Sequence, residues 1–183
     1  MSSPEIEQQP KFVIETARTR QDNIGIGEAH LQSWIETYQN QNLGIDEAWI
    51  RKEFSFLVED RGIDFRAKQI EIANRSESEI LYRVVKDPDD KVQGFLHVSR
   101  RDDGVHLDAI YLTKKAQGKG VARELMNQAI EFAGGHSISL QVVAYNDHAI
   151  SFYEKYGFDK GEIDKGLFHG RMPVLNMHRD GEI

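Results

Sequence analysis

Leu107-Asp-Ala-Ile-Tyr-Leu-Thr-Lys-Lys-Ala-Gln-Gly-Lys-Gly-Val-Ala-Arg-Glu-Leu-Met126 reads as a strand, a turn and a helix that opens on glycines. Val105, Leu107, Ala109 and Tyr111 alternate with His106, Asp108, Ile110 and Leu112, the period of two that marks a strand. After Thr113 the period changes. Val121, Leu125, Ala129 and Phe132 recur at helical spacing, with Ala122, Met126 and Ala133 widening the stripe. Gly134-Gly135 ends the helix. Between strand and helix lies Gln117-Gly118-Lys119-Gly120-Val121-Ala122.

The first turn of a helix carries amides with no partner inside the helix, and they point outward with the positive end of its dipole. An anion fits there, and Gly118, Gly120 and the small Ala122 let one approach the backbone. A pyrophosphate cradle and a tight turn that simply needs glycine are both open readings of these six residues. A Walker loop is excluded, because Gly120 follows Lys119 where Ser or Thr is required. A dinucleotide fingerprint fits poorly: Arg123 stands at the third glycine position, and Ser139-Leu140-Gln141-Val142 offers no acid.

Gln117-x-x-Gly120-x-Ala122 after a strand ending Ile110-Tyr111-Leu112 resembles the acyl-CoA signature of the GNAT superfamily of N-acetyltransferases. Downstream, Asn146-Asp-His-Ala149-Ile-Ser-Phe-Tyr153-Glu-Lys-Tyr-Gly157-Phe158 resembles the same family's Asn-x-x-Ala-x-x-x-Tyr-x-x-x-Gly-Phe helix. The resemblance is close over 92–158 and looser before it. It implies an α/β GNAT-type fold, a mixed and mostly antiparallel sheet of about six to seven strands flanked by about four to five helices. It also implies acetyl-CoA as cosubstrate, held by Ile110, Tyr111, Leu112, Gln117, Gly118, Lys119, Gly120, Val121, Ala122 and Asn146, with Tyr153 reaching the thioester sulfur.

Around this stretch the chain is ordinary in composition. Its 183 residues suit one domain, expected over 11–180 behind a flexible tail of 1–10. A net charge of −7 argues against a nucleic-acid partner and is compatible with a cationic substrate. With no cysteine, there is no disulfide, thiolate metal site or cysteine nucleophile, and no metal is expected. No apolar run approaches the length of a membrane span, and Met1 to Pro10 lacks the parts of a signal peptide, so a cytoplasmic setting without membrane contact is expected.

Phe12 to Ala17 can form a strand, and Asp22-Asn23 can cap a helix reaching about Tyr38. His30, Trp34 and Tyr38 fall on one side of it. Core packing is the first reading of these rings, and an aromatic wall of an amine site at Trp34 and Tyr38 is the functional one. Asp46 caps a second helix to about Val58, and a weakly amphipathic helix spans Phe65 to Ala73 ahead of a polar loop over 74–78. Strands at Ile80–Lys86 and Val92–Arg100 lead as hairpins into the opening strand. Ile138–Ala144 reads as a buried parallel strand, and Phe158–Lys165 with Met172–Met177 as a last hairpin.

Amide formation from a thioester needs a neutral amine, a polarised carbonyl and a proton for the departing thiolate. Asn146, Ala149 and Tyr153 sit at spacings that share a helix face, and a phenol of ordinary pKa near 10 suits the proton. The resemblance puts that face at the cofactor and the carbonyl at a backbone amide near Leu112, where a β-bulge can splay the strands. For the base, Asp108 is the first candidate and His106 the second, on the strand face read as shared with Ile110 and Leu112. A solvated carboxylate and a hydrogen-bonded histidine are the plainer readings. The expected function is direct acetyl transfer to a primary amine, a small cationic one such as a polyamine. A protein N-terminal (ribosomal-protein-type) acetyltransferase and a non-catalytic acyl-CoA-binding regulatory module are the alternatives. A homodimer is compatible with the resemblance.

Overall fold

The computed structural model describes residues 11–75 and 79–181; the expected tail and the end of the polar loop lie outside them. Along the chain run β1 (Val13–Thr16), α1 (Arg20–Thr37), α2 (Glu47–Glu53), α3 (Asp60–Arg75), β2 (Ile80–Lys86), β3 (Val92–Arg101) and β4 (Gly104–Leu112). Then follow α4 (Val121–Ala133), β5 (Ile138–Val143), α5 (Asp147–Glu154), β6 (Asp159–Phe168) and β7 (Met172–Arg179). The seven strands form one sheet in the order β1-β2-β3-β4-β5-β7-β6. Among the described residues only β4 and β5 pair in parallel, joined through α4 as a crossover must be. The other neighbours are antiparallel, as expected.

Helices cover both faces. Leu125, Met126 and Ala129 of α4 and Ile150 of α5 bury one face with Leu96, Val98, Val105 and Leu140. Ile26 of α1 and Ile70 of α3 bury the other with Tyr82, Val84 and Phe95. Trp34, Ile50 and Phe54 extend that layer toward Val143 and Met172.

Helix α2 stops at Glu53 rather than about Val58, with a 3-10 turn over Ser55–Leu57 after it. Three further boundaries depart from the sequence reading, each for a physical reason. Helix α1 is capped by Thr19, not Asp22: the Asp22 amide donates to Thr19 Oγ1 at 3.0 Å while its carboxylate accepts from the Thr19 amide at 2.9 Å. That capping box moves the start three residues earlier. Helix α3 is longer than 65–73 because its buried stripe contains a charge. Arg66 lies among Ile70 and Ala73 and donates to Asn23 Oδ1 at 2.9 Å, which hides the period from a reading by hydrophobicity. Strand β6 begins after the buried Phe158 and continues to Phe168, with two register shifts against β7.

The last departure bears on function. His97 pairs with Ala109 and Val98 with Leu107, so Asp108 is an extra residue in β4, a β-bulge. The bulge reverses the alternation. Ile110 and Leu112 join Val105 and Leu107 toward α4, while Ala109 and Tyr111 turn toward α1 and α3. The uniform alternation from Val105 to Leu112 therefore holds only for its first half, and Asp108 does not share a face with Ile110 and Leu112.

Candidate active site

Strands β4 and β5 pair at only three positions, ending at Leu107 with Leu140, and then part. A cavity of about 590 Å3 fills the parting. Asp108 to Leu112 of β4 form one wall and Gln141 to Val143 of β5 the other, and Asn146, Ala149, Tyr153, Trp34, Tyr38 and Phe168 complete the lining. The Thr113 amide donates to the Gln93 carbonyl at 2.9 Å, continuing the β3–β4 ladder. Backbone groups along an antiparallel strand alternate in direction, so Tyr111 and Ala109 also turn theirs toward β3. Ile110 and Leu112 thus aim their backbone groups at the parted side, where no strand meets them among the described residues. The Leu112 carbonyl there accepts from Gln117 Nε2 at 2.9 Å.

At one edge of the cavity the chain turns through Gly118 and Gly120, with φ of 70° and 79°. Those angles strain any other residue, so the turn does need its glycines. It is also exposed: a Cβ at Gly118 would meet nothing within 4 Å, and at Gly120 only the end of Arg123 at 3.8 Å. Both readings of the turn are therefore compatible in one geometry. Gln117 and Ala122 line the cavity itself; Gly118, Lys119 and Gly120 lie beyond it on the turn, and Val121 faces the core. For Val121 only the backbone remains available to a ligand.

Asn146 is the N-cap of α5 rather than a residue on its face. Its Oδ1 accepts from the Ala149 amide at 3.1 Å and its Nδ2 donates to the Tyr38 hydroxyl at 3.3 Å. Tyr38 thus stands beside Asn146, so it is not confined to the aromatic wall read at Trp34 and Tyr38. Tyr153 is buried, and burial, with Tyr38 nearby, raises its phenol above the ordinary value. Tyr111 and Tyr38 are raised likewise by burial. The cavity therefore holds three phenols that keep their protons.

Trp34 is both core and wall, stacked on Phe54 with ring centres 4.2 Å apart. His30 is structural, as its packing suggested. Its ring sits 4.3 Å from Tyr111 and 5.0 Å from Phe95, and burial followed by the nearby Arg66 charge lowers its pKa to about 3. A folded-state pKa below the unfolded 6.5 means the unfolded chain binds the extra proton. Stability from this group is full above pH 6.5 and falls as pH drops toward 3. The residue is partly exposed, so about 1 kcal/mol per pH unit is expected after screening. Urea midpoints between pH 6.5 and 4.5 should fall less steeply in His30→Phe than in the parent; equal slopes would contradict the assignment.

Of the two base candidates, only Asp108 lines the cavity. Its carboxylate pairs with Arg101 and lies 3.9 Å from His97 Nδ1, with 17% of the side chain exposed. His106 lies in the part of β4 still paired with β5, opposite Ser139, and is bonded to Ser139 Oγ at 3.1 Å and Asp103 at 2.9 Å. Several participants had no sequence signal. Phe168 arrives from a distant hairpin, and Glu36 accepts from the Lys114 amide at 2.7 Å just after β4. Behind the turn, the buried Asp87 carboxylate accepts from Lys115 Nζ at 2.6 Å, Gln93 Nε2 at 2.8 Å and the Lys91 amide at 3.0 Å. Gln93 Oε1 in turn accepts from Thr113 Oγ1 at 2.7 Å. Burial alone would raise Asp87, but these donors outweigh it and hold its pKa down to about 2.

A parted parallel pair, an exposed glycine turn after it and a tyrosine across the gap are the features the two motifs implied. The family model for the Acetyltransferase (GNAT) family matches residues 28–158. The chain belongs to this GNAT family. Peptidyl-lysine N-acetyltransferase YjaB of Salmonella typhimurium is 31% identical over 100 residues, 53% of this chain and 63% of that protein. Its counterpart in Escherichia coli K12 is 31% identical over 91 residues, 48% and 56% of the two chains. The matched stretch thus spans less than two thirds of either relative. Among solved structures, the PaiA N-acetyltransferase of Thermoplasma acidophilum in complex with coenzyme A superposes with a TM-score of 0.69 at 21% identity, covering 93% of this chain and 99% of that one. The ribosomal-protein-S18-alanine N-acetyltransferase of Escherichia coli reaches 0.62 at 17%, covering 94% and 96%. These two likenesses bear on the GNAT fold alone. Among the described residues no helix is long and apolar enough to cross a membrane, and no group of three or more His, Asp or Glu could hold a metal.

Proposed function

We propose that residues 11–180 act as one acetyl-CoA-dependent N-acetyltransferase that moves the acetyl group directly to a primary amine. The observation that carries this reading is the parting of β4 from β5, which leaves the Ile110 and Leu112 backbone facing a cavity between the glycine turn and Tyr153. The open space at Gly118 and Gly120 suits a diphosphate, and the parted strand edge suits an extended, amide-bearing arm. Acetyl-CoA supplies the activated carbonyl and a thiolate leaving group. With no cysteine in the chain, no cysteinyl acyl-enzyme can form.

The chain's own residues divide the remaining work. An amide of β4 near Leu112 stabilises charge developing on the carbonyl oxygen. Tyr153 gives its proton to sulfur, and Asp108, from the bulge, takes the ammonium proton directly or through water. Trp34, Tyr38 and Phe168 wall the acceptor end, where a cation on an alkyl stem can lie against ring faces. A small cationic amine is the preferred acceptor. The YjaB relatives give a specific ground for a second reading, a lysine side chain, whose reacting group is the same alkylammonium.

Calorimetry with acetyl-CoA against ATP and NAD tests the donor, and thiol release across small amines, lysine peptides and N-terminal peptides tests transfer. Binding without turnover on any acceptor would leave the regulatory-module reading in its place. The Asp87 network yields a further expectation. A hydrogen bond to a charged group contributes about 1.5–3 kcal/mol. Asp87→Asn should therefore loosen the turn and raise the KM for acetyl-CoA about tenfold. Adding Lys115→Met should cost little more, because the pair acts as a unit. Additive effects of the two substitutions would show that Asp87 does not work through Lys115.

A further inference from the structure

The bulge residue Asp108 lines the cavity, and its carboxylate has two neighbours from β3. Arg101 pairs with Oδ1, and the His97 ring stands behind Oδ2 with Nδ1 at 3.9 Å. The two neighbours differ in how firmly they are held. The Arg101 side chain is 52% exposed, so water and salt screen its pair. That of His97 is only 16% exposed. Strand β2 sets Tyr82 directly opposite it, and the two rings stack with centres 4.7 Å apart and planes at 20°. Strand β4 sets the small Ala109 on its other side. We propose that His97 is a positioning residue for acetyl transfer, holding the Asp108 carboxylate toward the cavity through its Nδ1–H. The proposal rests on the acetyl-transfer reading with Asp108 as base, and adds to it a residue that lies outside the cavity lining.

What each ring nitrogen meets assigns the proton. An ionised carboxylate only accepts, so a bare Nδ1 would set lone pair against lone pair, and the proton belongs on Nδ1. Nε2 is buried and has no hydrogen-bond partner among the described residues. A second proton there would bury an unpaired, charged donor, which costs more than an unused acceptor. Burial accordingly lowers the His97 pKa; the Asp108 charge opposes that shift and the Arg101 charge adds to it. The imidazole therefore stays neutral, and a neutral donor orients the carboxylate while taking less of its basicity than a second cation would. At 3.9 Å the contact is longer than a hydrogen bond. Contacts of this kind tighten once substrate fills the site, and about 1 Å of movement closes this one.

Two variants separate the N–H from the ring. His97→Phe keeps the stack on Tyr82 and removes the donor, whereas His97→Asn keeps a donor near the Nδ1 position and removes the stack. His97→Phe should lower kcat about tenfold with the KM for acetyl-CoA unchanged, and His97→Asn should recover most of that loss. On an Asp108→Asn background, His97→Phe should cost almost nothing further, because the two residues act as a unit. The reverse ranking of the two variants, or a loss that multiplies with that of Asp108→Asn, overturns the proposal and leaves His97 as packing. A parent-like rate in Asp108→Asn removes Asp108 as base and the proposal with it, whereas a parent-like rate in His97→Phe alone overturns only the proposal. Long-range proton–nitrogen NMR spectra give a readout without turnover: the His97 ring should be neutral with its proton on Nδ1, and a proton on Nε2 overturns the proposal. No thiol release with any amine would defeat the transfer reading, while the tautomer would still decide which atom His97 turns to Asp108.

Discussion

Tyr153→Phe is expected to lower the rate of the chemical step by about 10²–10⁴ and leave the affinity for acetyl-CoA nearly unchanged. The substitution removes one oxygen and keeps the ring, whose contacts are with Phe158 at 5.8 Å and Phe152 at 5.6 Å between centres. Packing, and with it stability, should therefore survive. What is lost is a hydroxyl that burial helps keep protonated, the proposed donor to sulfur. Its raised pKa bears on the pH profile as well. A phenol at its ordinary value would begin to lose activity as pH approaches 10, whereas a raised one holds the alkaline limb beyond that. Single-turnover rates of CoA release, with the parent measured to pH 10, check both points. An unaltered rate in Tyr153→Phe would remove the residue from the acid role. Tyr38→Phe is the informative companion. Its hydroxyl accepts from Asn146, so its loss should disturb the α5 cap and the donor end without abolishing proton delivery.

Much of this site is legible in the chain because its parts are local. The glycine turn, the strand before it and the cap-and-tyrosine helix each lie within a short run, where spacing reports geometry directly. The bulge at Asp108 is not legible. A bulge is defined by two strands in register, and nothing in Leu107-Asp-Ala-Ile-Tyr-Leu112 says that Val98 will pair with Leu107 while His97 pairs with Ala109. That single extra residue reverses half of the alternation, while His106 stays in the paired stretch of β4 and Asp108 stands against Arg101. Arg66 is a second case. A buried arginine breaks a hydrophobic stripe, and its partner Asn23 is 43 residues away on another helix. Phe168 and Asp87 reach the site only through tertiary contact. Local chemistry could be read; partnership across the sheet could not.

Gly94 shows the same dependence from the other direction, and it carries the second large expectation. Gly94 sits opposite Leu112 in the β3–β4 ladder, at the end of the strand whose backbone faces the cavity. A Cβ there would come to 2.4 Å from the Tyr111 carbonyl oxygen and 2.4 Å from Leu112 Cδ2. The leucine tip can rotate away; the carbonyl cannot move without β4. Overpacking of this kind costs about 1–3 kcal/mol, and a backbone clash belongs at the upper end, so Gly94→Ala should lower the Tm by about 6–12 °C. The displacement has a direction that matters for function. Pushing Leu112 off β3 shifts the backbone that faces the cavity, so the KM for acetyl-CoA should rise beyond what the lost stability explains at temperatures where the variant is folded. Gly62→Ala serves as the control, because its clash, 2.0 Å from the Phe56 carbonyl oxygen, is also with backbone but lies on α3, outside the cavity lining. If both variants lose comparable stability and only Gly94→Ala loses affinity for the donor, the close approach of β3 to β4 sets the position of the acyl group. Equal donor affinity in the two would mean that β4 absorbs the strain elsewhere, with the bulge at Asp108 the one place in that strand where the ladder is already open.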